Sequence, residues 1–141
     1  MSIPNKFDKL GNIIVQSEQP LTLTAKSTNC KVKITTEGSP IISGLKYRTS
    51  NKDNWQKYTI NKEITLANIN DYIQFKNDNN YLSMARDNNY ARFIMSGSNI
   101  EASGNIMSML NYSISCTDFC FHMLFYGCSS LTTKKFTISC Y

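Results

Sequence analysis

From residue 19 onward, apolar and polar residues alternate with a period of two. Leu21, Leu23 and Ala25 are interleaved with Thr22, Thr24 and Lys26, and Val32 and Ile34 with Lys31, Lys33 and Thr35. Such alternation sends every second side chain to one face of an extended chain, so each run predicts a half-buried β-strand. Polar clusters separate the runs: Ser27-Thr28-Asn29, Glu37-Gly38-Ser39-Pro40, Ser50-Asn51-Lys52-Asp53-Asn54 and Asn61-Lys62. These are the residue types that close tight turns. Between them, Leu45 and Tyr47 oppose Lys46 and Arg48; Trp55, Tyr58 and Ile60 make a further strand; Ile64 and Leu66 another; and Tyr72-Ile73-Gln74-Phe75 the next. A last extended pair is expected over Tyr81–Ala85 and Ala91–Met95, divided by Arg86-Asp87-Asn88-Asn89. About seven short strands with polar turns predict a mainly β chain built on an immunoglobulin-like antiparallel β-sandwich. The Cys–Trp–Cys spacing of antibody domains is absent, so aliphatic and aromatic side chains must form the core.

The two ends break this pattern. Residues 1–17 hold Pro4, Gly11 and a mixed middle. They read as an arm needing a partner surface to bury Phe7, Leu10, Ile13, Ile14 and Val15. After Gly97, Ile100-Glu101-Ala102-Ser103-Gly104-Asn105 leads into Ile106-Met107-Ser108-Met109-Leu110. Residues 118–127 predict a short helix, N-capped by Asp118 and ended by Gly127, with Phe121, Leu124, Phe125 and Cys128 on one face. The expected organisation is an arm (1–17), a β-sandwich (18–96) and a small C-terminal α/β cap (97–141).

Composition narrows the function. The 141 residues are 41% hydrophobic and 18% charged, with 16 Asn, ten carboxylates and one His. This excludes a collagen-like, coiled-coil or typically disordered chain. It also leaves few groups for acid–base chemistry. No Gly-rich phosphate loop, paired-carboxylate motif or HExxH occurs. His122 lies off the apolar face of its predicted helix and reads as an exposed or rim residue rather than a base for Cys116 or Cys120. The five Cys, at 30, 116, 120, 128 and 140, are odd in number and lack zinc-ribbon spacing. Buried free thiols are expected, with no disulfide framework, metal or cofactor.

Charge adds one question. The net charge is +5, and Lys26–Lys62 holds eight Lys/Arg against two acids, a local balance of +6. The cations mostly alternate singly with neutral residues, and only three of the fifteen are Arg. A solvated, lysine-bearing sheet face is expected, with no nucleic acid as partner. Tyr47, Trp55 and Tyr58, with Tyr72, are candidates for stacking on a glycan beside the Asn-rich turns Asn77-Asp78-Asn79-Asn80 and Asp87-Asn88-Asn89. The preferred reading puts Trp55 and at least two of the tyrosines in the core and gives the Asn clusters to turns. No apolar run is long enough for a membrane-spanning helix. Nor is there a secretory h-region, so retention in a cytoplasm is expected.

The segment Phe121-His122-Met123-Leu124-Phe125-Tyr126-Gly127-Cys128-Ser129-Ser130-Leu131-Thr132-Thr133 resembles the core repeat of the BspA-like leucine-rich repeat family, in which a short helix leads into Gly-Cys-Thr-Ser-Leu. Ala102–Leu110 looks like the stretch that introduces those repeats. Leu45–Thr49, Trp55–Ile60, Ile64–Ile69 and Ile73–Phe75 are similar to the β domain preceding them in surface proteins of gut Bacteroidetes and in proteins of their phages. The likeness spans roughly residues 19–141. It implies a repeat unit at the C-terminal end, but a single one, where a solenoid needs about three. Lys134-Lys135-Phe136 stands where the family has a Pro-rich segment. The open apolar end of a lone repeat must be covered by the sandwich or by another chain.

These readings converge on a non-enzymatic structural or interaction protein. The expected role is a bacteriophage virion component (a capsid-decorating, head-fibre or tail-fibre protein) assembled in the host cytoplasm. Its expected partners are other virion proteins or copies of itself, as a homo-oligomer. The alternative is a bacterial cell-surface adhesin, or a fragment of one, that binds a glycan or a host protein.

Overall fold

The computed structural model describes residues 19–38, 42–80, 89–113, 121 and 124–132, together with the backbone of three strands at 5–7, 13–15 and 133–137. The chain is mainly β. In order, its strands are β1 (Asn5–Phe7), β2 (Ile13–Val15), β3 (Leu21–Ala25), β4 (Cys30–Glu37), β5 (Leu45–Thr49), β6 (Lys52–Lys57), β7 (Ile64–Leu66), β8 (Tyr72–Asn77), β9 (Tyr90–Ser96), β10 (Ile100–Asn105) and β11 (Leu131–Thr137). Strands form within the expected runs of residues 19–77 and 91–95, but β6 begins inside the expected turn of residues 50–54 and ends before Tyr58 and Ile60; the expected strand over Tyr81–Ala85 lies outside the described residues.

The strands form three sheets. A six-stranded sheet has the order β11-β10-β3-β8-β5-β6, a three-stranded sheet β7-β4-β9, and β1 and β2 pair only with each other. Every pairing is antiparallel except β10 with β11, which run parallel. The alternation seen in the sequence sets the faces. Leu21, Leu23, Ile73 and Phe75 of the larger sheet, and Val32, Ile34 and Phe93 of the smaller, are buried in one shared core. Phe75 and Phe93 meet edge-to-face across it at 5.3 Å.

Tyr58 ties the sheets together. Its ring packs against Phe75, and its hydroxyl accepts from Ile34 N at 2.7 Å and donates to Lys62 O at 2.7 Å. Ile34 lies beyond the last residue of β4 that β7 pairs, Val32. The Tyr58 hydroxyl and Asn61 N, which donates to Ile34 O at 2.8 Å, therefore take over where β7 stops. A buried backbone N–H that would otherwise lack a partner is thus satisfied by a side chain.

The C-terminal segment departs from expectation. Phe121 and residues 124–127 form turns, with Leu124 N bonded to Phe121 O and Cys128 N to Phe125 O; residues 118–120, 122 and 123 of the expected helix lie outside the described set. The reason is tertiary. Leu124 O accepts from Phe93 N at 2.7 Å, so this carbonyl serves the edge of β9 instead of a helical bond. Cys128 Sγ donates to Phe93 O at 3.2 Å, and Phe125 stacks on Phe93 at 5.3 Å. Leu124 lies in the shared core, and Phe121, Phe125 and Cys128 pack against it. Leu124 and Cys128 thereby cover the edge of β9 at Phe93, a position otherwise open to foreign strands.

The expected boundary at 96/97 falls between β9 and β10, and β10 hydrogen-bonds to β3 within the larger sheet. Gly104 has φ +80, and a side chain there would run into Pro20 O. Glycine is thus required where β10 closes on the start of β3. The 3₁₀ turn Ile106–Leu110 follows, capped by Asn105 Oδ1, which accepts from Met107 N at 2.9 Å.

Candidate functional site

The described surface has one face where charge, an aromatic ring and ordered polar bonds converge. It is the outer side of β5, β6 and β8. Side chains directly opposite each other on neighbouring strands share a face. Lys46 is paired with Lys57 on β6 and with Lys76 on β8, which makes a cross-strand row of three lysines. Like charges placed opposite one another are destabilising. Asp78 offsets part of this, with its carboxylate 2.7 Å from Lys46 Nζ.

The adjacent row centres on Arg48. Its Nε donates to Gln74 Oε1 at 2.7 Å, Gln74 Nε2 donates to Thr22 Oγ1 at 3.1 Å, and Thr22 donates to Pro20 O at 2.9 Å. Gln74 and Thr22 are only 6% and 4% exposed, so this relay is anchored in the sheet. Asp53 lies 3.6 Å from Arg48 Nη1. Trp55 completes the site: the Arg48 guanidinium carbon and Lys76 Nζ each lie 4.6 Å from its ring centroid. Cation–π contacts of this kind hold flexible cationic chains close to an aromatic face.

The residues singled out for glycan stacking are split by the structure. Tyr47 and Tyr58 are each 4% exposed and in contact at 5.8 Å inside the core, so neither ring has a face to offer a sugar. The core-filling alternative holds for these two. Trp55 instead lies on the outer face, half-buried beneath its two cations. Tyr72 is half-buried at the start of β8. In the first Asn-rich turn, Asn77 Oδ1 accepts from Asn79 N at 2.9 Å and Asn79 Nδ2 donates to Ser43 O at 2.9 Å, which is turn chemistry. Asp87 and Asn88 of the second fall outside the described residues.

Of the arm residues, Phe7 pairs with Ile13, Lys6 with Ile14, and Asn5 with Val15 in the β1–β2 hairpin; Leu10 lies outside the described set. Cys30 is buried and free, with Ser27 Oγ 3.2 Å from its sulfur. Burial raises the Cys128 thiol above its ordinary 9.0, an effect that nearby Arg92 partly offsets. Burial likewise pushes the Tyr58 phenol above 10.0, against the opposing pull of its Ile34 backbone bond. His122, Cys116, Cys120 and Cys140 fall outside the described residues. Among the described residues, no three His, Cys, Asp or Glu side chains gather as metal ligands do, and no helix is long and apolar enough to cross a membrane.

The lysine row and the Arg48 relay were not identified from sequence. The signal was there in part: Lys46 and Arg48 alternate with Leu45 and Tyr47. Its meaning depends on which strands lie beside β5, and pattern alone does not supply that. No protein-family model, curated protein or solved structure matches the chain.

Proposed function

We propose that this chain is a non-enzymatic structural and interaction protein, a bacteriophage virion component of the capsid-decorating, head-fibre or tail-fibre kind. It attaches through its N-terminal arm, residues 1–17, and assembles with other virion proteins or with copies of itself. The observation that carries this reading is the β1–β2 hairpin, a sheet of its own outside the two sheets of the body. An isolated two-stranded hairpin is marginal in water. Its strands carry Phe7, Ile13, Ile14 and Val15, the apolar residues an attachment contact would bury. In this reading the body (18–96) is an immunoglobulin-like sandwich, and residues 97–141 are a cap related to one leucine-rich repeat. Seven strands between Leu21 and Ser96 support the first, and the parallel pairing of β10 with β11 across a turn-rich connection supports the second.

The test is sedimentation and light scattering of the full chain against a chain lacking residues 1–17. Self-association lost on deletion supports attachment through the arm; two equally monomeric, equally stable chains refute it. Genes for portal, terminase or capsid proteins beside its own would support the particle over the bacterial surface. The second reading, a bacterial cell-surface BspA-like adhesin or fragment, draws on the cationic face around Trp55. A glycan array without hits sets it aside.

A further inference from the structure

We propose that the outer face of β5, β6 and β8 binds an acidic polysaccharide, with Arg48 as its principal oxyanion contact. This face is separate from the hairpin, so the assignment does not rest on the particle reading; it gives the glycan-binding alternative a ligand class and a site.

The argument begins with Arg48. Its guanidinium is fixed on one side by the Gln74 bond at 2.7 Å and lies over the Trp55 ring. With Nε engaged by Gln74, the terminal nitrogens have, among the described residues, the 3.6 Å ion pair to Asp53, whose side chain is 86% exposed. A planar guanidinium held in this way presents two parallel N–H groups to a carboxylate or sulfate. Because Gln74, Thr22 and Trp55 already restrict the side chain, less rotamer entropy remains to be lost on binding.

The lysine row supplies the second contact line. Neighbouring strands are about 4.8 Å apart, so Lys57, Lys46 and Lys76 set three cations across about 10 Å. Keeping three like charges in one cross-strand row works against the sheet. An anionic polymer laid across the strands relieves that repulsion.

The same face disfavours nucleic acid. Asp53 and Asp78 stand within it and would repel closely spaced phosphates, whereas a carboxylate accepts hydrogen bonds from sugar hydroxyls. Single-stranded nucleic acid needs open aromatic platforms, but Trp55 already has two cations over its ring. Among the described residues this face also presents no helix to enter a groove. A polymer with sparser charge and many hydroxyls fits better.

The experiment titrates the full chain with polygalacturonate, hyaluronate, neutral dextran and oligodeoxythymidylate, following the fluorescence of Trp55, the only tryptophan. The expected result is binding to the two acidic polysaccharides that weakens with added salt, and none to dextran. The double variant Arg48→Gln/Lys76→Gln should bind about tenfold more weakly or worse. Lys57→Gln, at an exposed edge position that keeps the fold intact if the double variant does not, should weaken binding by about threefold. Lys31→Gln and Lys33→Gln, on β4 of the smaller sheet, should bind like the parent. The proposal is overturned if neither acidic polysaccharide binds, if the control variants lose as much affinity as the face variants, or if oligodeoxythymidylate binds more tightly than both polysaccharides.

Discussion

Replacing Ser108 by alanine tests how the 3₁₀ turn is locked to the larger sheet. Ser108 is fully buried, and its hydroxyl sits between two strands of the β ladder. It accepts from Leu21 N of β3 at 2.9 Å and donates to Phe75 O of β8 at 2.8 Å. Leu21 and Phe75 are register partners, so the hydroxyl completes the end of their pairing. Alanine removes one oxygen and leaves two buried backbone groups without it. A buried group stripped of its partner costs about 1–3 kcal/mol, the carbonyl at the lower end because it has a second lone pair. The sum is about 2–4 kcal/mol, a large share of the 5–15 kcal/mol that typically holds a domain. In a chain of this size that corresponds to a fall in melting temperature of about 6–15 °C. Urea unfolding followed by circular dichroism gives the free energy, and hydrogen exchange at the Leu21 amide gives the local effect. Ser103→Ala, half-exposed on β10, serves as the control and should stay within about 0.5 kcal/mol of the parent. A Ser108→Ala protein as stable as that control, with the Leu21 amide still protected, would refute the bridging role.

Other substitutions probe the remaining ties. Tyr58→Phe removes the partner of Ile34 N and should cost about 1–3 kcal/mol in the same urea assay. Because the phenol is held above its ordinary value in the fold, its contribution is complete below pH 10.0 and falls as pH rises past it. Stability above pH 10.0 should therefore decline less steeply in Tyr58→Phe than in the parent. Gly104→Ala forces a side chain onto Pro20 O at φ +80 and should cost about 3 kcal/mol or more, read as a lost or strongly shifted unfolding transition. Leu124→Ala, at a site 1% exposed, should cost about 2–5 kcal/mol and deprotect the Phe93 amide. One cooperative transition in that variant would show the closing segment and the two sheets unfolding together; two would separate them.

Much of the fold is written in period two. β3, β4, β5 and β8 each carry an apolar face that alternation alone identifies, and the turn residues mark their ends. What alternation does not carry is adjacency. β10 reads Ile-Glu-Ala-Ser-Gly-Asn, with only Ile100 and Ala102 apolar before Gly104, and nothing local marks its partners as β3, far upstream, and β11, downstream. The described part of the predicted helix, Phe121 and residues 124–127, is turn for a related reason: Phe121, Leu124, Phe125 and Cys128 have helical spacing, but the Leu124 carbonyl is held by the β9 edge. Tyr47 and Tyr58 were legible as core candidates, whereas the hydroxyl bond of Tyr58 to Ile34 was not, since it spans two sheets. Lys31 and Lys46 look alike in the sequence. Register separates them: Lys31 lies on the smaller sheet and pairs with Glu63, while Lys46 stands between two further lysines.

The distribution of open edges sets how copies of this chain can meet. A strand edge with free N–H and C=O groups recruits other strands unless it is covered or charged. β9 has its edge met at Phe93 by Leu124 and Cys128, and β4 beyond β7 is met by Tyr58 and Asn61. β6, an outer strand of the larger sheet, carries Lys52, Asp53 and Lys57. Two β6 strands aligned antiparallel about their centres would set Lys52 against Lys57 twice, a repulsive pairing. Extension of the sheet through β6 is therefore disfavoured. Among the described strands, the edges left for self-association are the hairpin, β7 and β11. These routes differ in one measurable respect: removing residues 1–17 dissociates an oligomer held by the hairpin and leaves one held by β7 or β11 intact.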